Sequence, residues 1–157
     1  MPRQRQVIDY ALARRATLVD LARGRLSTAD VCDAHPDLIR AARYHGEATE
    51  VGCPVCRKER LTRVTYAYGD ELQHASGRAR SSRSLDGLAA RYAQLRIYVV
   101  EVCRSCGWNH LCVSFMIGTD VTADAAAPSA GSPATVPDVV PVTRREAPHG
   151  QRRTARR

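Results

Sequence analysis

Lysine is almost missing from this 157-residue chain: Lys58 stands alone among 24 basic side chains, the rest being arginine. A bias that strong reflects genomic base composition as well as function. The net charge of +8 therefore has to be discounted before it is read as affinity for polyanions. Aromatic residues are scarce too, with Trp108, Phe115 and six tyrosines, although a hydrophobic content of 44% still allows a core. No run approaches the roughly 18 apolar residues of a membrane span, so no membrane association is expected. The N-terminus lacks the basic start and apolar stretch of a secretory leader. The expected compartment is the cytoplasm, where thiols stay reduced and disulfides are rare. A Walker loop, a His-Glu-x-x-His motif, a nucleophile elbow and the kinase signatures are also absent, and the expectation is a protein that is not an enzyme.

What the chain does have is two Cys-x-x-Cys hooks separated by 46 residues: Cys53-Pro54-Val55-Cys56 and Cys103-Arg104-Ser105-Cys106. Four thiolates in two such hooks can close a tetrahedral shell around one structural Zn²⁺, at about 2.3 Å per bond. Gly107 after the second hook allows a backbone turn with positive φ that aims N–H groups at the sulfurs. Arg57 stands at the corresponding place after the first hook, a departure from that pattern. Pro54 stiffens the first hook and Trp108 can shield the site. A redox dithiol is the competing reading, but redox folds set the motif at a helix N-terminus in a βαβ context, which neither hook has. His110 is a possible replacement ligand, Cys112 a sheet-facing side chain, and Cys32 a small buried hydrophobe. His45-Gly46-Glu47 ahead of Cys53 superficially resembles a zinc-deaminase signature. The spacing is too short for it, and a four-cysteine shell leaves no open position for water.

Hydropathy periodicity predicts an N-terminal helical unit over 1–46. It comprises an amphipathic helix at 5–23, with Val7, Ile8, Ala11, Leu12, Leu18, Val19 and Ala22 as its stripe, then short helices at 29–34 and 36–44. Thr28 is the candidate cap of the second helix, and Pro36 suits the first turn of the third. The last two could form a helix-turn-helix presenting Arg40, Arg43 and His45. The turn at His35-Pro36 is short and lacks glycine, which favours plain packing. Alternation predicts strands at 60–69, 96–103 and 109–117. The order hook, strand, insertion, strand, hook, strand predicts an antiparallel three-stranded zinc ribbon over 47–120. Its insertion at 70–95 is an arginine-bearing loop (Arg78, Arg80 and Arg83) followed by a short helix capped by Ser84. Residues 121–157, rich in Ala, Pro and Arg, read as a disordered basic tail. The fold class is thus α+β.

Four segments carry a family resemblance: Gln6-Val7-Ile8-Asp9-Tyr10-Ala11-Leu12, Val31-Cys32-Asp33-Ala34-His35-Pro36, the first hook through Glu59, and Val100 to Leu111 around the second. Together they resemble a small actinobacterial family of uncharacterised function, over about residues 4–118. The second hook with Gly107-Trp108 is also similar to zinc ribbons of transcription and translation proteins. That likeness implies contact with nucleic acid or with an RNA polymerase or ribosome surface. Residues 1–120 carry 18 basic and 13 acidic side chains. Arg78, Arg80 and Arg83 are the candidate phosphate contacts. The alternative is a protein–protein adaptor that docks through helix 5–22 and uses zinc only as architecture.

Overall fold

A computed structural model describes residues 2–122 of the chain. In chain order its elements are β1 (Arg5–Asp9), α1 (Ala11–Ala22), α2 (Thr28–Val31), α3 (Pro36–His45), β2 (Glu47–Gly52), β3 (Arg60–Tyr68), β4 (Arg78–Arg80), α4 (Leu85–Arg91), β5 (Leu95–Val102) and β6 (Asn109–Ile117). The strands form one six-stranded antiparallel sheet in the order β1-β6-β5-β3-β2. Strand β4 shares the outer edge of β3 with β2: β2 pairs with Arg60–Arg63, and β4 with Thr65–Ala67.

This overturns the expected helical unit followed by a three-stranded ribbon. Residues 5–9 are a strand on β6, not the start of a helix, and α1 begins only at Ala11. The apolar stripe read across 5–22 marks the buried face only in part: Leu18 packs inward, but so does Leu21, which lies off the stripe, and Leu12 is 81% exposed. Two further strands, β2 and β4, are short polar edge segments held by backbone pairing to β3 rather than by buried side chains. The expected basic tail lies outside the described residues, apart from 121 and 122, which close a 3₁₀ turn (Thr119–Thr122).

The elements follow from local chemistry. Ser27 and Asp30 form a reciprocal capping box on α2, Ser27 rather than Thr28 being the cap. Pro36 occupies the first turn of α3, where a missing N–H costs nothing. In β5 the β-branched run alternates between the two faces of the sheet. Leu95 and Ile97 meet Ile117 and Phe115 on one face, beneath Leu72 of the turn after β3 and Leu85 of α4. Val102 joins Val64 on the other face, under Ala42, Leu38 and Ile39 of α3. Each fully buried aliphatic side chain of this kind contributes about 1.5–3 kcal/mol, so both faces of the sheet have an ordinary apolar core. At the end of the sheet away from Leu95 and Ile117, the β2–β3 and β5–β6 hairpins bring both cysteine hooks together.

Candidate metal centre

Each hook is a hairpin loop folded back on itself. In the first, the Cys53 N–H donates to Glu59 O (2.8 Å) and the Arg57 N–H to Cys53 O (3.2 Å). In the second, the Cys103 N–H donates to Trp108 O (2.8 Å) and the Gly107 N–H to Cys103 O (2.9 Å). Because β3 and β5 run antiparallel with Thr62 opposite Val102, the two loops face each other at the same end of the sheet. The four sulfurs lie within 4.8 Å of one another. Cys53 Sγ is 3.6 Å from Cys106 Sγ, and Cys56 Sγ is 3.6 Å from Cys103 Sγ. A tetrahedron with 2.3 Å metal–sulfur arms has edges of about 3.8 Å, so the donor set fits a metal ion with little adjustment.

The protonation chemistry points the same way. Burial pushes the Cys103 and Cys106 thiols up to about 12. Cys56 is drawn down to about 7, chiefly because its sulfur accepts the Lys58 backbone N–H. Four touching sulfurs cannot all ionise by themselves, since each new charge raises the cost of the next. A bound cation removes that conflict and takes the thiolates as ligands.

Arg57 and Gly107 hold equivalent places after the two hooks, and both adopt positive φ, +56° and +82°. The absence of glycine from the first hook therefore left its backbone path unchanged and put an L-residue into the left-handed region, at about 1 kcal/mol. The second hook has no such freedom, because a Cβ on Gly107 would lie 2.8 Å from Cys32 O. Arg57→Gly is expected to leave the melting temperature unchanged or raise it slightly, the relieved strain offsetting the added chain entropy. Gly107→Ala is expected to cost about 2–3 kcal/mol through strain plus that contact. Thermal melts of the two variants check the asymmetry.

A family model described as a family of unknown function (DUF5318) matches residues 1–131. The chain belongs to this family. An uncharacterised protein of Mycobacterium tuberculosis is 45% identical over 128 residues, covering 82% of this chain and 91% of the relative. An uncharacterised protein of Mycobacterium bovis matches to the same extent, 45% over 128 residues. The mycobacterial relatives agree with the actinobacterial resemblance carried by the motifs. No solved structure matches the chain.

Around its hooks this DUF5318 member builds a dense shell. Cys53 and Cys103 are buried at 2% and 0% exposure, against Trp108, Leu61 and Val31, with Leu18 and Leu21 of α1 behind them. Glu59 ties one loop to the other, accepting from Ser105 Oγ (2.6 Å) and Arg104 Nη2 (2.8 Å). The Ser105 hydrogen bond is the main reason its carboxyl sits below the usual range. Buried Glu101 accepts from Trp108 Nε1 (3.0 Å) and from Arg14 Nε (2.5 Å), and Arg14 also lies over the Trp108 ring at 5.9 Å. This Glu101–Arg14 pair clamps α1 onto the metal end of the sheet. A lone acidic residue inside a β-branched strand, six positions before tryptophan's neighbour Gly107, carried no sequence signal of that role.

Among the described residues, the cluster of potential ligands contains neither His110 nor Cys112. His110 stacks on Trp108 (14° between planes), and its Nδ1 lies 2.7 Å from Leu111 O. Cys112 is the extra residue of a β-bulge, since Val99 pairs with Val113 but Val100 with Leu111. Burial, then the nearby Glu101 charge, pushes its thiol up to about 11. Glu47 of the deaminase-like string accepts the Ser82 N–H (2.8 Å) and takes no part in the cluster. The three arginines of the expected insertion differ in setting. Arg78 and Arg83 are exposed, with Arg83 near Glu47. Arg80 is half-buried on β4, where its Nη2 donates to Ala75 O (3.5 Å) and its Nε is buried without a partner. Among the described residues, no helix is long and apolar enough to cross a membrane.

Proposed function

We propose that this chain is a non-enzymatic binding module in which one structural Zn²⁺ fixes two hairpins, and that its arginine-bearing surface contacts nucleic acid or a machine that handles it. The observation that carries this reading is the complete four-sulfur donor set. Sulfur ligands suit zinc, and four of them fill its tetrahedral shell, leaving no position for a water or substrate. The metal's contribution is then rigidity, and any recognition falls to the surfaces it holds in place. Arg57 and Lys58 are exposed at the tip of the first hook, and Arg78 and Arg83 on the insertion beside β3. Arginine suits phosphate through its bidentate fork.

The test is equilibrium binding of the full chain to duplex DNA and to RNA across a salt series. Three or four phosphate contacts give a log–log slope of about −3 on DNA, and Arg57→Ala with Lys58→Ala should flatten it by about 2. Binding to neither polymer, or binding indifferent to salt, would falsify the nucleic-acid part.

One observation favours the adaptor reading. Val7 (54%), Ile8 (46%), Leu12 (81%) and Val19 (38%) expose apolar surface along β1 and α1. A protein partner docked there would survive nuclease treatment in an affinity purification, whereas a partner tethered by nucleic acid would be lost.

A further inference from the structure

Cys32, which the sequence presents as a stray buried thiol, stands at the edge of the metal centre. Its Sγ is 3.6 Å from Cys106 Sγ, the same separation that joins Cys53 to Cys106 and Cys56 to Cys103 inside the shell. This is not a chance approach of a loose segment. Cys32 ends α2, and its N–H donates to Thr28 O (2.9 Å). The next two residues are fastened to the second hook: the Ala34 N–H donates to Gly107 O (3.0 Å), and Asn109 Nδ2 donates to Asp33 Oδ1 (3.0 Å). Gly107 lacks a Cβ where one would lie 2.8 Å from Cys32 O, so the two backbones approach more closely than a side chain at 107 would allow. A fifth sulfur therefore stands against one corner of a cluster whose four members lie within 4.8 Å of one another.

The five are not equivalent. Cys53 and Cys103 are buried, whereas Cys56, Cys106 and Cys32 are half-buried. Of the two less buried corners, Cys106 is the one against which the spare thiol sits. We propose that Cys32 is a reserve ligand, able to take the coordination position of Cys106 while Cys53, Cys56 and Cys103 hold the ion. In that exchange the Cys32 thiol gives up its proton as its sulfur bonds the metal. The departing Cys106 thiolate takes a proton up, so the charge of the shell is unchanged. The inference rests on the structural-zinc reading and extends it from a fixed shell to one with a replaceable corner.

The test measures zinc per chain in the full-length protein and in Cys32→Ser, Cys106→Ser, the double variant, and Cys53→Ser as control. Alkylation with mass spectrometry reads which thiols stay protected. Wild type and Cys32→Ser are expected to hold one zinc. Cys106→Ser should also hold one, ten- to a hundredfold more weakly, with Cys32 now protected from alkylation. The double variant should lose the metal, as Cys53→Ser does. A second measurement uses only loaded, folded protein: zinc transfer to a chromophoric chelator should be several-fold faster from Cys32→Ser than from wild type, because nothing recaptures the ion when Cys106 lets go. Equal transfer rates overturn the inference. So does a Cys106→Ser chain as metal-free as the double variant, or one in which Cys32 is alkylated while the metal is bound. Metal in wild type with none in Cys106→Ser sinks the reserve-ligand role alone, whereas a metal-free wild type sinks the zinc reading and this inference with it.

Discussion

Removing the metal should lower the melting temperature by about 20 °C or more, and Cys103→Ser should do the same while abolishing a stoichiometry of about one zinc per chain. The magnitude follows from what the ion replaces. Apparent binding free energies of structural zinc reach about 10–16 kcal/mol in peptides whose whole fold depends on it. A domain of this size has a total stability of about 5–15 kcal/mol. Half of the peptide figure is about 5–8 kcal/mol, at about 4 °C per kcal/mol. Cys103 is the most damaging ligand to lose because it is fully buried and packed against Trp108 and Leu61. Calorimetry with and without chelator, alongside elemental analysis, checks the result. A chelated protein that melts unchanged would show that the apolar packing suffices and the hooks are dispensable.

The second large effect belongs to a pair outside the four-cysteine cluster. Arg14→Ala should destabilise by about 3 kcal/mol, because it leaves the buried Glu101 carboxylate without its ion-pair partner. Arg14 is itself a quarter exposed, at 26%, which places the expected cost at the lower end of the range for broken buried pairs. Replacing both charges, as in Arg14→Met with Glu101→Gln, should recover most of the loss. Glutamine still accepts from Trp108 Nε1, and no charge remains to be solvated. Urea unfolding of the single and double variants gives the coupling. Additive losses would mean that the pair acts only through separate packing contacts.

The parts of this fold legible in the sequence are those whose side chains answer to burial. Arg60–Tyr68, Leu95–Val102 and Asn109–Ile117 show themselves by alternation or by β-branched content, and each is central to the sheet. Pro36 placed α3 through its fixed φ. The parts that were hidden are edges. Val7 and Ile8 of β1 are exposed, and their spacing to Ala11 and Leu12 imitates a helical stripe that no buried face enforces. Strand β2 is a polar run, Glu47-Ala48-Thr49-Glu50, ordered by its backbone register on β3. Strand β4 is three residues in an arginine-rich segment. Short polar edge strands carry no periodic signal because only their backbone bonds hold them. The centre itself was legible as far as Cys-x-x-Cys spacing reaches. Cys32 and Glu101 were not: Cys32 arrives from an element distant in the chain, and Glu101 lies two residues before Cys103 but belongs to no repeat.

On the proposed reading the sheet is fastened differently at its two ends, by four sulfurs around an ion at one and by packed hydrocarbon at the other. Heat strains both, but scarcity of the ion strains only the first. In a metal-starved cell the hairpin tips should fray while the strands beneath Leu85 and Leu72 stay shut, offering proteases an entry point at Cys53–Glu59 and Cys103–Trp108. The lifetime of the chain would then follow metal supply rather than its rate of synthesis, with no dedicated sensor required.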